Sequence, residues 1–187
     1  MKCLLKKPSR RYLPGYVDAL QRGWSPDNLR DEVRGEQLQE IERDPNAFIA
    51  EQDDPEGKGR PIRLPDGSLV ARLPGIHRWL WDGEFCGIIG LRWKPGTPDL
   101  PPTCPGHIGY TVVPWKRGRG YATAALRLLL PEARAVGLPY VEITTEMGNE
   151  PSQRVILANG GLLVERFLKS PALGGGESLR FRIALIA

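Results

Sequence analysis

The sequence predicts an α/β fold in which strands and helices alternate along a single domain that spans all 187 residues. Three observations predict it. A strand pattern at residues 107–113 runs into a helix pattern through a glycine-rich turn, and residues 76–93 carry two strand patterns around an Asp-Gly turn. After residue 137 the patterns are strand, helix, strand and strand. The complete predicted order is β-α-α-β-β-β-α-β-α-β-β.

The composition is that of a soluble globular protein with a mildly basic charge. Hydrophobic residues make up 41% of the chain and charged residues 26%, and the formal net charge is +4. A mild positive charge fits a small polyanionic cofactor. The basic residues are interspersed with acidic ones rather than gathered in one block, so the pattern does not indicate a nucleic-acid-binding protein.

Cysteine and histidine usage argues against disulfide and metal frameworks. The three cysteines, Cys3, Cys86 and Cys104, are odd in number and widely spaced, which predicts free thiols in a reducing compartment. Two histidines and scattered carboxylates give no ligand spacing, so no metal is expected. No apolar run is long enough for a signal peptide or a membrane span, and a cytoplasmic protein without membrane contact is therefore predicted.

The N-terminal part predicts one strand and two helices. Residues 2–6 fit a short strand, and residues 11–22 carry apolar side chains at helical spacing. The Ser-Pro-Asp at residues 25–27 is typical of a helix cap, so a second helix is expected to begin there and to end at the Asp-Pro of residues 44–45. Trp24 lies between these helices and is expected in the core.

The middle of the chain predicts an insertion and the first hairpin of the central sheet. Residues 51–73 are rich in Pro, Gly and Asp and are interpreted as an insertion with a hairpin at residues 62–70. Residues 76–81 and 84–93 form the clearest hairpin, because Asp-Gly is a favoured two-residue turn. The proline-rich residues 94–105 follow as a loop.

Residues 107–122 combine a strand, a basic turn and the start of a helix. Pro114 ends the strand, because proline cannot donate to a ladder. The turn contributes the basic residues and glycines Lys116, Arg117, Gly118, Arg119 and Gly120. A helix N-terminus leaves N–H groups unpaired, and glycine lets a ligand approach the backbone. The pattern therefore predicts a phosphate-binding turn; the alternative is a tight turn with solvated basic side chains.

Two other phosphate-binding loops do not fit these residues. A nucleoside-triphosphatase loop needs Ser or Thr after a lysine at the helix start, where this chain has Tyr121 and Ala122. A dinucleotide fingerprint needs a third glycine where this chain has Thr123.

The C-terminal part completes the predicted order. The helix after the turn is expected to reach Val136, with a kink or an early end at Pro131. Its predicted buried stripe consists of Ala122, Ala125, Leu126, Leu129, Ala133 and Val136. A strand at residues 138–145 and a short helix from Asn149 follow. Two further strands are expected at residues 162–168 and 179–186, around a Gly-Gly-Gly loop.

Three motifs together resemble the GNAT superfamily of N-acetyltransferases. Arg117, Gly120 and Ala122 match its R-x-x-G-x-A turn, which binds acetyl-CoA, and Asn149 and Ser152 match an N-x-x-S motif before a short helix that ends at Gly-Gly. The strand sequence G-H-I-G-Y at residues 106–110 is similar to a subgroup of predicted acetyltransferases. The resemblance covers residues 79–167, and it implies a mixed, mostly antiparallel central sheet flanked by helices.

The resemblance also implies how the cosubstrate would be held. The backbone amides of the turn would bind the pyrophosphate of acetyl-CoA; they belong to Arg117, Gly118, Arg119, Gly120, Tyr121 and Ala122. Val112 and Val113 would contact the pantetheine arm, and the Val112 N–H would face the acyl oxygen. Asn149 would hydrogen-bond a pantetheine amide. Without the resemblance, the two valines would be read as ordinary core residues.

Catalytic roles carried over from the family fall on few residues. Ser152 would donate a proton to the leaving thiolate, since Ile156 stands where many relatives have a tyrosine, and Asn149 would assist. His107 would be the base, because its ordinary pKa near 6.5 suits proton removal; Glu146 is a second candidate. The alternative is that Asn149 and Ser152 only cap a helix and that His107 only forms structural hydrogen bonds.

The function implied is transfer of an acetyl group from acetyl-CoA to a primary amine of a small molecule or peptide, in a ternary complex. Family members often pair through late strands, and residues 179–186 could form a homodimer in this way; the oligomeric state stays open. The two N-terminal helices would line the acceptor side, unless they only pack. Two other functions stay open: a non-catalytic CoA or acyl-CoA sensor on the same fold, and a basic ribosome-associated or RNA-associated module.

Overall fold

The computed structural model describes residues 3–185, and its helices pack on two antiparallel sheets. The helices are α1 (Leu13–Gln21), α2 (Val33–Arg43), α3 (Pro45–Glu51), α4 (Tyr121–Ala135) and α5 (Glu150–Leu157). The strands are β1 (Leu4–Lys6), β2 (Asp53–Asp54), β3 (Ile62–Arg63), β4 (Leu69–Val70), β5 (Gly75–Trp81), β6 (Phe85–Arg92), β7 (Ile108–Val112), β8 (Tyr140–Glu146), β9 (Leu162–Leu168) and β10 (Glu177–Ala184). The predicted α/β class, with antiparallel sheets flanked by helices, is confirmed.

The strands are divided between a larger and a smaller sheet. The larger sheet has the order β1-β5-β6-β7, with β2 also paired to β5, and the smaller has the order β8-β10-β9. The short strands β3 and β4 form a separate hairpin within residues 51–73, in which Ile62 lies opposite Val70. Every strand pairing in the described part of the chain is antiparallel. No helix in residues 3–185 has the length and apolar character that crossing a bilayer requires.

The N-terminal helices differ from the prediction. The second helix begins at Val33 and not at residue 25, because the Asp27 carboxylate accepts from the N–H groups of Leu29 and Arg30 at 2.7 and 3.1 Å and forms a local turn. Asp44 ends α2 as expected, but it also caps α3, a helix that the sequence patterns did not predict. The strand predicted at residues 2–6 is β1, and Lys2 lies outside the described residues.

The hairpin of β5 and β6 separates two hydrophobic cores. Leu80 on one face of β5 packs into a core built around α4, while Trp79 on the other face packs into an aromatic core below α1. In the aromatic core, the ring of Tyr16 stacks on Trp79 with 4.7 Å between the centroids. Trp24 is buried there as expected, and its indole N–H donates to the Thr111 hydroxyl at 3.3 Å. The aromatic core therefore ties the N-terminal helices to β5, β6 and β7.

The helix α4 continues through Pro131 instead of ending there. Pro131 and Arg127, whose carbonyl loses its helical partner at this proline, both lie on the exposed face, where water can hydrogen-bond the carbonyl. Its most buried residues are Tyr121, Ala125, Leu126, Leu129 and Ala133, whereas Val136 is exposed. The predicted stripe was therefore correct in the middle of the helix; Ala122 at its start is partly buried against the core, and the prediction was wrong at Val136.

The strand that the sequence suggested for pairing with a second copy is central in its sheet. Residues 177–184 form β10, which pairs with β8 on one side and β9 on the other, so β10 has no edge for a second copy. The two edge strands of this sheet are β8, which borders β7, and β9 on the opposite side. Ile186, the last residue of the predicted strand, lies outside the described residues.

Gly87 is predicted to be essential for the pairing of β6 with β7. Its φ is +149°, and a Cβ atom built on it would collide with the Thr111 carbonyl oxygen and lie 2.9 Å from the Val112 Cα. We expect Gly87→Ala to lower the free energy of unfolding by about 2–4 kcal/mol, measured by chemical denaturation. Gly35→Ala in α2, where a Cβ meets nothing within 4 Å, is the matched control and should raise it by about 0.5–1 kcal/mol. Equal effects of the two substitutions would contradict this account.

Candidate active site

A gap between β7 and β8 divides the two sheets. The strands are joined at the start of β7, where the His107 N–H donates to the Glu142 carbonyl at 2.7 Å and the Glu142 N–H donates to His107 Nδ1 at 2.9 Å. Beyond this point β7 and β8 belong to different sheets and share no ladder within the described residues. The edge of β7 that faces away from β6 is therefore left without a strand partner.

The main-chain groups along this free edge differ in their availability. The Val113 N–H donates to the Cys86 carbonyl of the β6 side at 3.0 Å, so by strand alternation the N–H of Val112 points away from β6 and into the gap. The Val112 carbonyl accepts from Arg117 Nε at 3.0 Å. The Val113 carbonyl accepts from the Lys116 N–H, and the Val113 side chain is fully buried. Val112 thus presents a free donor, whereas both backbone groups of Val113 are used within the protein.

The turn after β7 exposes a row of backbone donors. Gly118 and Gly120 have φ values of +73° and +77°, which reverse the chain into α4, and no side chain caps this helix. Its first hydrogen bond is from the Ala124 N–H to the Gly120 carbonyl. Within residues 3–185, the six N–H groups of residues 118–123 have no acceptor, and a Cβ at either glycine would meet nothing within 4 Å. The turn can therefore cradle an anion.

The basic residues of the turn divide into two kinds. Arg117 and Arg119 are exposed and form no ion pair among the described residues. Lys116, which the sequence suggested as a third charge for a ligand, is buried and pairs with Asp82 at 2.7 Å and Glu84 at 3.1 Å. That expectation was wrong, because these carboxylates neutralise Lys116 beneath the turn.

Asp82 anchors the turn from the core side. Besides pairing with Lys116, it accepts a hydrogen bond from the Tyr121 hydroxyl. Burial favours the protonated form of Asp82, but the hydrogen bonds from Lys116 and Tyr121 outweigh burial and hold its pKa well below its usual range. Burial and the Asp82 contact raise the pKa of Tyr121 to about 12. Only the main-chain N–H of Tyr121, and not its side chain, faces the outside of the turn.

His107 is placed as a structural link and not as a base. It is buried, its Nε2 lies 3.1 Å from the Pro98 carbonyl, and its Nδ1 accepts from the Glu142 N–H. These partners require the neutral tautomer with the proton on Nε2. Burial lowers the pKa of His107 below its usual value. Neither nitrogen is left to accept a proton from a substrate, so the prediction of a base at this position is not supported.

The N-terminus of α5 reaches across the gap to β7. Asn149 caps this helix, with its Oδ1 accepting from the Ser152 N–H at 3.1 Å. The half-buried Ser152 Oγ lies 2.8 Å from the Tyr110 hydroxyl. Ile156 is fully buried in the core, so its position does not face the gap. Asn149 and Ser152 thus lie together at the start of α5, with Asn149 as its cap, and beside them is a tyrosine that the sequence analysis did not assign to the site.

Tyr110 and Asn28 are the site residues that the sequence analysis missed. Tyr110 alternates with Val112 on the same face of β7, and that alternation was the available signal. Burial raises the pKa of Tyr110 to about 12. The side-chain amide of Asn28, in the loop between α1 and α2, donates to the Tyr110 carbonyl at 3.3 Å. The N-terminal loop therefore borders the free edge of β7.

Two surface depressions lie outside this gap. One, of about 480 Å³, lies between residues 93–98 and the end of α4, and another, of about 280 Å³, is lined by α1, the β5–β6 turn and Trp115. Residues 3–185 contain no cluster of three or more His, Cys, Asp or Glu side chains that could hold a metal ion.

The sequence of the chain matches one protein family, and its fold is similar to that of several solved structures. A family model described as an acetyltransferase (GNAT) domain matches residues 67–161. No curated protein sequence matches the chain. RimJ of Mycobacterium smegmatis, in complex with a CoA disulfide, shares the fold with a TM-score of 0.66 at 19% identity, over 97% of this chain and 81% of that chain.

Two further solved structures have the same fold. RimL, a ribosomal alpha-N-protein acetyltransferase in complex with coenzyme A, has a TM-score of 0.63 at 12% identity, over 98% of this chain and 94% of that chain. A chimera of spermidine N-acetyltransferase SpeG from Vibrio cholerae has a TM-score of 0.62 at 12% identity, over 99% and 96%. At such identities these similarities describe the fold alone.

The structural role of His107 predicts a pH dependence of stability. The pKa of His107 is lowered in the folded state. Its contribution to the free energy of unfolding is therefore complete above about pH 6.5 and is lost as the pH falls below that value. We expect the free energy of unfolding to decrease between pH 7 and pH 5, and His107→Asn, which keeps an acceptor for the Glu142 N–H, to make that decrease smaller. The remaining decrease comes from the buried His77, whose pKa burial lowers to about 4. Chemical denaturation across this range measures it. An unchanged pH profile in the variant would contradict the prediction.

Proposed function

Because the chain belongs to the GNAT acetyltransferase family, we propose that it transfers the acetyl group of acetyl-CoA to a primary amine by direct attack in a ternary complex. One observation carries this proposal above the others. Six consecutive backbone N–H groups without acceptors among the described residues, at positions 118–123, follow a strand that ends at Val112 and whose far edge is unpaired. A diphosphate needs such a row of donors, and the arm attached to it needs an open strand edge.

The turn supports binding of the pyrophosphate of acetyl-CoA. The amide donors would come from Gly118, Arg119, Gly120, Tyr121 and Ala122, while the exposed Arg117 and Arg119 side chains would add positive charge. Arg117 is also held in place, since its Nε donates to the Val112 carbonyl. The same arginine would therefore contact the phosphates and connect the turn to the strand that receives the acyl group.

The free edge of β7 supports binding of the pantetheine arm and the thioester. Val112 would place its N–H against the acyl oxygen, where negative charge develops as the amine attacks. Val113 is not retained as a main-chain contact, because Cys86 and Lys116 already occupy its backbone groups. Asn149 uses Oδ1 to cap α5, which leaves its Nδ2 donors to reach the arm.

Proton transfer in the reaction would involve Ser152 and the amine itself. When the amine nitrogen bonds to the acyl carbon and the carbon–sulfur bond breaks, the electron pair of that bond moves to sulfur. The Ser152 hydroxyl would donate to this sulfur, and the proton lost by the amine balances the thiol that is released. His107 takes no part in this scheme, since both its ring nitrogens are occupied. Holding the reactants in place could supply several kcal/mol of the barrier reduction.

The acceptor class is a primary amine of a small molecule or a peptide. Structural neighbours include a ribosomal alpha-N-protein acetyltransferase and a spermidine N-acetyltransferase, so both kinds of acceptor occur on this fold. The loop between α1 and α2 borders the free edge of β7 through Asn28, which supports acceptor entry on that side. The three free cysteines support the cytoplasm as the compartment.

A homodimer would form through β9 rather than β10. The unpaired edge strand β9 exposes four large apolar side chains, which are Leu162, Leu163, Val164 and Leu168. Leu168 is 74% exposed. An exposed apolar edge strand favours addition of another strand, and a second copy of the chain offers an identical one.

Binding of acetyl-CoA at the turn is tested by ligand-dependent unfolding. Acetyl-CoA at ~100 times its dissociation constant should add about 2.7 kcal/mol to the free energy of unfolding. Gly120→Asp should abolish this gain, since it places a carboxylate beside the phosphates. Gly120→Asn is the matched control, because it has the same shape and the same strain at φ +77° but no charge. It should keep more of the gain than the Asp variant.

The outcomes of this experiment separate the possible functions. No stabilisation of the native chain by acetyl-CoA would remove the proposed function. Equal binding by the Asp and Asn variants would move the phosphate site away from the turn. Binding without release of CoA in a screen of amine acceptors would leave a sensor instead of an enzyme.

The β9 interface is tested by the oligomeric state. Leu168→Lys should convert a dimer to a monomer in light-scattering measurements, because it buries a charge at the new strand pair. Leu128→Lys on α4, where the native leucine is 44% exposed, is the control and should leave the dimer intact. A native chain that is monomeric at high concentration would exclude this interface.

A further inference from the structure

We propose that Tyr110 is a positioning residue, which directs the hydroxyl hydrogen of Ser152 toward the sulfur of the leaving thiol. The inference rests on the proposed function. In the family pattern a tyrosine hydroxyl is expected from α5, whereas here the tyrosine hydroxyl comes from β7. The starting observation is the distance of 2.8 Å between the Tyr110 hydroxyl and Ser152 Oγ, which joins the two sides of the gap.

The pattern of donors and acceptors decides what this contact does. A tyrosine hydroxyl has one hydrogen to donate, and here it can reach Ser152 Oγ at 2.8 Å or the Ser152 carbonyl at 3.4 Å. The shorter contact has the better geometry for a hydrogen bond between two oxygens. Either hydroxyl could be the donor in the 2.8 Å contact. We take Tyr110 as the donor to Oγ, which leaves the hydrogen of Ser152 to point elsewhere.

Competing uses of the Ser152 hydrogen are restricted by the local structure. A serine in a helix often donates to the carbonyl four residues earlier, which here is Gly148. That carbonyl already accepts from the Glu150 N–H at 3.0 Å. The Ser152 N–H is itself bound to Asn149 Oδ1, which holds the residue at the first turn of α5. The hydroxyl hydrogen is therefore available to a ligand in the gap.

The protonation state of Tyr110 supports this role. Burial raises its pKa to about 12, so the phenol keeps its hydrogen throughout the neutral and mildly alkaline range. Burial also removes water that would compete for the contact. Tyr110 thus acts on the reaction through Ser152, and it does not exchange a proton with the thiol itself.

The chemical step needs no additional reactant. As the carbon–sulfur bond breaks, its electron pair becomes a lone pair on sulfur, and the Ser152 O–H donates a hydrogen bond to that charge. The proton that finally rests on sulfur is the one that the amine loses when the nitrogen–carbon bond forms. Tyr110 keeps its own hydrogen throughout. Its effect is to fix the direction in which Ser152 donates.

The test measures the acidity of the CoA thiol when it is bound to the enzyme, from the absorbance of the thiolate. This readout needs no acceptor. We expect the native protein to make the bound thiol more acidic than free CoA. Tyr110→Phe and Ser152→Ala should each reduce the acid dissociation constant of the bound thiol. For Tyr110→Phe the reduction should be about tenfold, because Ser152 loses one hydrogen bond while it stabilises the thiolate. The double variant should match Ser152→Ala, because Tyr110 acts only through Ser152.

Controls distinguish this role from packing and from failure of the proposed function. Tyr140→Phe removes a hydroxyl that donates to Asp99 outside the site and should leave the thiol acidity unchanged. If CoA does not bind the native protein, the proposed function and this inference both fail. If Tyr110→Phe binds CoA with native thiol acidity, only the role of Tyr110 is overturned. Should Tyr110→Phe unfold, Tyr110→His, which retains a ring and a donor, should recover part of the acidity; no recovery in a folded protein overturns the role.

Discussion

The separation of β7 from β8 is the constraint on which the site depends. The strands are held together at one point by the reciprocal bonds of His107 and Glu142, and from there they enter different sheets. A free N–H such as that of Val112 is unfavourable inside a protein unless water or a ligand accepts its hydrogen. The gap therefore keeps a main-chain donor available at the place where an acyl oxygen would gain charge.

The turn after β7 shows how charged side chains are arranged around the proposed phosphate site. Lys116 points inward and is neutralised by Asp82, which also accepts a hydrogen bond from the Tyr121 hydroxyl. These three side chains hold the turn in place but add no positive charge to its outer surface. Arg117 and Arg119 remain on the outer side with the row of free amides. The positive outer surface attracts an anion. The buried support keeps the turn rigid, so that binding an anion costs less conformational entropy.

The contact between Tyr110 and Ser152 joins the donor strand to the helix that follows β8. In the family pattern a tyrosine is expected on this helix, but here that position is Ile156, which packs into the core. A hydroxyl from β7 reaches the same gap from its opposite wall. The chemistry of a site depends on which atoms are in contact and not on which helix or strand carries them. A tyrosine hydroxyl can therefore enter the gap from β7 as well as from α5.

Features with local causes could be predicted from the sequence. The Asp-Gly hairpin, the two glycines of the turn and the Asn149 cap all depend on residues within four positions of one another, and the structure has each of them. The same locality explains the error at residues 44–45, where Asp-Pro ends one helix and also begins the next. A local pattern identifies a boundary without showing what lies beyond it.

Long-range packing determines which polar groups have partners within the protein and which are left for a ligand. Lys116 is neutralised by a carboxylate 34 residues away, Tyr110 meets Ser152 across 42 residues, and β10 becomes central because β9 pairs with its second edge. Periodicity cannot reveal such contacts, since it reports which face a side chain occupies and not what lies opposite. Burial and hydrogen bonding depend on that opposite partner, and chain packing alone brings it into place.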